Sequence, residues 1–315
     1  MLETPLANLG ILAGLVTSLC WSFGSVFFTA AVRRLGPTIV NTYRILLAIV
    51  LLGLTHRLLS GHWAPACDSR QVAFLAASGV VGLAIGDQTL FMALRLIGPR
   101  ISLLIMATGP IFATLFGWLA LNETLAPIAF VGMSLTMLGV GWVILERPAG
   151  AHTQLDSRTR AAGIFWAFVG SACQAGGLLL SKQGMGHGYL PADQHLDPQA
   201  ATLVRMTFAG LAIIPFGLWS LRKHPAAGHP ATTFRVWRIG LMFASLGAVA
   251  GPFLGVWMSL VAADHAPVGI AQTLMSLPPI FILPIAVLLY RERISPRAAI
   301  GAGVAVSGCA LLFVQ

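Results

Sequence analysis

The stretch Pro110-Ile-Phe-Ala-Thr-Leu-Phe-Gly-Trp-Leu-Ala-Leu-Asn-Glu-Thr-Leu-Ala-Pro127 returns near the end of the chain as Pro279-Ile-Phe-Ile-Leu-Pro-Ile-Ala-Val-Leu-Leu-Tyr-Arg-Glu-Arg-Ile-Ser-Pro296. Pro110, Ile111, Phe112, Leu119, Glu123 and Pro127 match Pro279, Ile280, Phe281, Leu288, Glu292 and Pro296, all 169 positions apart. At the same spacing Met106 matches Met275, Gly132 matches Gly301 and Gly139 matches Gly308. Ser78, Gly82 and Gly86 match Gly247, Gly251 and Gly255. Further upstream, at other spacings, Gly14 pairs with Gly163, Ser22 with Ser171, Arg33 with Lys182 and Arg44 with Arg205. The second copy carries an insertion within His187–Asp197. The chain is an internal repeat.

The medium in which the repeat folds follows from composition. Of 315 residues, 57% are hydrophobic and 9% charged. A soluble domain carries about 25% charged residues, so this chain cannot cover a water-facing surface. Breaks at charges and at Pro/Gly clusters leave ten apolar runs near the ~20 residues a spanning helix needs. They are 8–32, 37–59, 71–94, 99–121, 126–145, 160–183, 199–220, 237–262, 267–290 and 296–314. The runs are continuously apolar, which favours helices over a barrel. The expectation is an all-α integral membrane protein of ten transmembrane helices. The polar linker 146–160 separates a first repeat, 1–145 (spans 1–5), from a second, 161–315 (spans 6–10). An odd number of crossings per repeat inserts the second copy upside down. Inverted repeats suit alternating access, with the substrate near the midplane between the repeats.

Several functions are excluded or disfavoured. The net charge of +9 comes with no RNP-like or helix-turn-helix pattern, so no nucleic-acid partner is expected. Cys20, Cys67, Cys173 and Cys309 show no paired or metal-type spacing, and no HExxH occurs. The His residues, His56, His62, His152, His187 and His195 among them, read mostly as loop residues. No metal, cofactor or ATP is expected, and no enzyme. A membrane-embedded enzyme would need a midplane cluster of His or acidic residues, and only Asp87 qualifies. A non-transporting scaffold is the other competing reading.

Cys20-Trp-Ser-Phe-Gly-Ser-Val-Phe-Phe28, Gly36-Pro-Thr-Ile-Val-Asn-Thr-Tyr-Arg44 and the repeated segment quoted above resemble the drug/metabolite transporter superfamily, EamA type, over nearly the whole chain. The resemblance implies a ten-helix carrier exporting an amino acid or similar metabolite from a bacterial cell, in the inner membrane, as a monomer or homodimer. It also implies cytoplasmic termini. The basic residues imply the opposite: 14 lie in the loops after odd spans and 3 on the other side, which puts the odd loops in the cytoplasm and the termini outside.

Asp87, beside Gln88 in span 3, is the most informative residue. A carboxylate in hydrocarbon is costly and marks function by default. It could bind an amine or exchange a proton, making the carrier proton-coupled; the alternative is that it pairs with a neighbouring Arg. Arg44 and Arg205 read as structural anchors, with a carboxylate clamp as the functional alternative. Glu123 and Glu292 are expected to cap the helices that begin at Pro127 and Pro296. Pro110 and Pro279 interrupt spans 4 and 9 and could act as hinges. Trp21, Ser22, Ser25, Ser171, Gln174, Trp257, Gln272 and Thr273 are candidates to line the substrate cavity. The bland reading is that about half of the polar ones only bond across helices.

Overall fold

The computed structural model describes residues 4–145, 156–223, 234–290 and 296–312. Every long element among them is helical. In the first repeat α1 (Thr4–Leu35), α2 (Pro37–Ser60), α3 (Ser69–Ser78), a π-helical segment (Gly79–Ile85), α4 (Gly86–Met106), α5 (Gly109–Leu121) and α6 (Pro127–Leu145) follow in order. In the second come α7 (Ser157–Gly184), a short 3₁₀ turn (Ala192–Gln194), α8 (Pro198–Lys223), α9 (Phe234–Ala248), a second π-helical segment (Val249–Gly255), α10 (Val256–His265), α11 (Val268–Met275), α12 (Pro278–Tyr290) and α13 (Pro296–Leu311). Among the described residues seven segments are long and apolar enough to cross a membrane: Asn8–Val32, Ile39–Ser60, Ser69–Leu90, Ser102–Leu121, Pro127–Leu145, Ser157–Gly184 and Val236–His265. Val268–Ile282 and Ala299–Leu311 are shorter apolar helices.

Local chemistry sets the ends. Asp68 and Gln71 form a reciprocal capping box that starts α3. Gly61 (φ 77°) and Asn122 (φ 52°) close α2 and α5 in the left-handed conformation. The sequence suggests a break between spans 3 and 4, which falls within the element α4 (Gly86–Met106). The packing shows where the chain reverses. Gly170 of α7 abuts Thr89 and Leu90, and Gly163, further toward the start of α7, abuts Leu96 and Ile97. Thr108 then bonds Ser171 at 3.2 Å. A straight helix would carry residue 108 roughly 27 Å beyond residue 90, so the chain doubles back between 97 and 108. The second repeat makes the equivalent reversal at Ala266–Pro267, where the helix is broken.

Three pairs of matched spans meet each other antiparallel, whereas α1 packs on α9 and α10 and its counterpart α7 packs on α3 and α4. In α2 and α8, the Leu52 carbonyl accepts from Gln199 Nε2 at 2.8 Å, while Ile45 and Ile49 lie against Gly210. Between α5 of span 4 and α11 of span 9, Gly109 faces Gln272 and Thr114 faces Gly269. In α6 and α13, Gly132 and Gly139 of one helix face Gly308 and Gly301 of the other. A methyl added at Gly139 or Gly308 would fall within 3 Å of the facing backbone, so these glycines permit the close approach. Thr136 Oγ1 lies 3.4 Å from the carbonyl of Ala305, its own repeat partner at 169 residues' separation.

Two features were not visible in the sequence. Each repeat carries a seven-residue π-helical segment at the matching place, Gly79–Ile85 and Val249–Gly255. Such segments frequently accompany functional sites. Gly82 lies against Gly177 of α7, and Pro252 removes a backbone donor from the second segment. His56 is no loop residue: it is buried in α2 with Nδ1 2.9 Å from Gln199 Oε1.

Candidate functional site

Where the repeats meet, the π-helical segments and the breaks in α4–α5 and α11–α12 converge. A cavity of about 20 Å³ remains, bounded by Trp21, Leu83, Gln174, Leu178, Arg205, Val256, Ser259, Gln272 and Met275. That is room for a water molecule rather than a metabolite.

Arg205 is the unusual wall residue. It is only 3% exposed, and its Nε has no hydrogen-bond partner. Its guanidinium reaches the Gly82 backbone, where a Cβ would sit 2.8 Å from Nη2. A buried donor without a partner is costly and calls for an explanation. Arg44, its repeat counterpart, is differently placed. Arg44 Nη2 meets Asp87 Oδ2 at 2.7 Å, its Nε donates to Asn41 Oδ1 at 2.8 Å, and its guanidinium lies over Phe28. Asp87 Oδ1 accepts from Gln174 Nε2 at 2.9 Å. Asp87 therefore has the neighbouring Arg that the structural reading required. Gln174 joins this pair to the cavity, because the same side chain lines the wall.

The other candidates divide. Trp21, Gln174 and Gln272 line the cavity. Trp257 packs beside Phe253, and Gln88 is exposed. Thr273 donates to the Gly269 carbonyl at 2.7 Å and Ser25 to the Ser22 carbonyl at 2.7 Å. Ser22 and Ser171 do matched work at the two helix breaks. Ser22 donates to the Ser18 carbonyl at 2.7 Å and lies 3.2 Å from the Pro278 carbonyl; Ser171 bonds Thr108 and lies 3.4 Å from the Met106 carbonyl. Carbonyls left unpaired by a broken helix must find donors inside a membrane. Pro110 and Pro279 sit in the first turns of α5 and α12, just past those breaks.

Glu123 caps a helix, but not the one that follows it. The left-handed Asn122 turns it inward, and Glu123 Oε2 accepts from the Val268 amide at 2.8 Å, at the start of α11 in the other repeat. Its Oε1 meets Lys182 Nζ at 2.7 Å, and Lys182 also donates to the Ala266 carbonyl at 2.7 Å. Lys182 is thus a buried tie between the ends of α5, α7 and α10. Glu292 lies outside the described residues.

The EamA-like transporter family matches residues 8–145 and 161–314, one match for each copy of the repeat. The chain belongs to the EamA-like transporter family. This EamA-like protein is therefore a multi-pass membrane transporter of the drug/metabolite transporter superfamily. A solved crystal structure of a protein superposes on 96% of this chain and 95% of its own, with a TM-score of 0.72 at 17% identity; that likeness concerns the fold alone. A search of curated proteins found no match.

Proposed function

We propose that this EamA-like protein is a ten-span secondary carrier. Residues 1–145 and 161–315 form inverted five-span repeats, the 146–160 linker joins them, and a small organic metabolite, an amino acid or similar, leaves the cell by alternating access. The observation that carries the reading is Arg205, a buried cation with an unpartnered Nε, in the wall of a cavity between antiparallel repeat copies. A carboxylate matches a guanidinium fork. Asp87, reached through Gln174, supplies the opposite charge for an amine. Arg205 and Asp87 together fit a substrate that carries both groups, and Trp21 and Gln272 supply an aromatic wall and a further polar contact.

The Glu123–Lys182 pair closes one face in this reading. The sequence repeats an acidic and a basic residue at the corresponding positions Glu292 and Arg33. In the proposed orientation the odd loops are cytoplasmic, in a bacterial inner membrane. Cysteines introduced into the 146–160 linker are then shielded from an impermeant thiol reagent in intact cells, and cysteines near Gln315 react.

Counterflow in proteoliposomes tests the function. Purified protein preloaded with one amino acid should take up the labelled form, and a panel of sugars, nucleosides and simple amines should not compete. Exchange of sugars or nucleosides with no amino-acid exchange would overturn the substrate class. Absence of exchange with every class would overturn the carrier reading.

A further inference from the structure

The insertion that the second repeat carries builds a cluster unrelated to the cavity. After α7 ends at Gly184, Gly186 (φ 111°) and Gly188 (φ 90°) turn the chain sharply and present His187 between them. The 3₁₀ turn then brings His195 back, its ring centroid 4.2 Å from that of His187. Gly186 makes room, since a Cβ there would lie 3.0 Å from His195. The Leu196 amide closes the loop onto the Met185 carbonyl at 2.8 Å. Asp264, in the last turn of α10, meets His187 Nε2 at 2.6 Å. One donor atom from each of His187, His195 and Asp264 lies within 4.8 Å of the others.

We propose that His187, His195 and Asp264 form a binding site for a divalent metal of the zinc class. Two imidazoles and a carboxylate are a borderline donor set that suits zinc, cobalt or nickel, and two imidazoles argue against calcium and magnesium. Ligands of one tetrahedral zinc stand roughly 3.3 Å apart, given bonds of about 2.0–2.2 Å. The cluster needs small side-chain adjustments to reach that spacing. The metal takes the place of the direct contact between His187 Nε2 and Asp264 Oδ1. The groups around the cluster already orient it, as outer partners of metal ligands do. His195 Nε2 faces the Leu190 carbonyl at 3.2 Å. His265 Nδ1 stands 3.4 Å from the second oxygen of Asp264.

The site spans two elements that no covalent bond joins closely, the α7–α8 connection and the end of α10. Ala266, two residues beyond Asp264, is the residue whose carbonyl Lys182 holds. A bound ion would therefore brace the face that the Glu123–Lys182 pair already ties.

The test uses the full-length, untagged protein in detergent, stripped of metal with a chelator and titrated with Co²⁺ and then Zn²⁺. One Co²⁺ per chain should bind with the visible bands of a low-symmetry site, and Zn²⁺ should displace it. His187→Ala and His195→Ala should each weaken binding at least tenfold, whereas His195→Cys should retain it, because a thiolate is also a zinc ligand. His62→Ala, an exposed residue of a different loop, should change nothing. Zn²⁺ should raise the thermal midpoint of the unmodified chain and slow amide exchange across 185–197, a readout that needs no variant to fold. Two results overturn the site: no saturable binding to the unmodified chain, or binding that persists undiminished when His187 and His195 are both replaced.

Discussion

Arg44 and Arg205 occupy matching positions in the two copies of the repeat, yet only one is neutralised by direct contact. Arg44 meets Asp87 at 2.7 Å. The position equivalent to Asp87 in the second copy is Val256, which lies with Arg205 in the cavity wall. One substitution, carboxylate for valine, separates a satisfied ion pair from a buried cation with an open donor. Duplication supplies two copies of a scaffold, and the departures from symmetry supply polarity to the site between them.

The sharpest way to break this comparison is to remove Arg44. Arg44→Leu leaves Asp87 in a half-buried position with only the Gln174 amide, and truncating one partner of a buried pair costs about 3–5 kcal/mol. Partial exposure of both side chains, 17% each, places the expected loss at the low end, about 3 kcal/mol. Thermal unfolding in detergent reads it. Arg205→Leu should leave the midpoint within a degree or two of the unmodified chain; an equal loss from both variants would erase the distinction.

Val256→Asp makes the second copy resemble the first. A carboxylate there neutralises Arg205 from within the wall and competes with an anionic substrate. Exchange should fall about 100-fold, in keeping with a charge-assisted contact of about 1.5–3 kcal/mol, while the protein stays folded. Full activity in Val256→Asp would remove Arg205 from the substrate site.

Asp87→Asn tests the charged member of the first copy. Exchange should fall at least tenfold, because Asn keeps the shape and loses a charge-assisted contact. If Asp87 exchanges a proton, the variant loses pH-driven accumulation and keeps substrate-for-substrate exchange; if it holds an amine, both weaken together. A variant that transports normally but melts early shows that Asp87 serves only Arg44.

The smallest effect belongs where the copies are most alike. Thr136→Val removes a long bond to the Ala305 carbonyl at 3.4 Å and the bond to the Gly132 carbonyl at 2.8 Å within its own helix. The expected loss is about 0.5 kcal/mol, with transport unchanged. A loss several times larger would show that the α6–α13 contact depends on this hydroxyl rather than on the close approach of its glycines.

Much of the architecture was legible because it rests on periodic and compositional signals. The 169-residue echo marks which positions correspond, and the glycines it repeats, Gly132, Gly139, Gly301 and Gly308, are those at which α6 and α13 touch. Asp87 stood out because carboxylates are rare at such depth. Gln174, Gln272 and Trp21, which line the cavity, stood out for a more general reason, polar or aromatic character within apolar runs. The same reasoning could not separate them from Thr273 and Ser25, whose hydroxyls bond backbone carbonyls within their own helices. Hydroxyls of both kinds look identical in one dimension.

The sequence by itself determined that the chain lives in a membrane, that it is doubled, and which positions correspond, because hydropathy and repetition are properties of the linear order. Tertiary structure decided the partners. Glu123 caps Val268 rather than its own neighbour, Lys182 becomes a buried tie, His56 enters the core, and His187, His195 and Asp264 converge from separate segments. It also decided which arginine contacts Asp87 directly and which keeps an unpartnered Nε. Charge pairing acts over a few ångströms, and only the antiparallel packing of the two copies sets those distances.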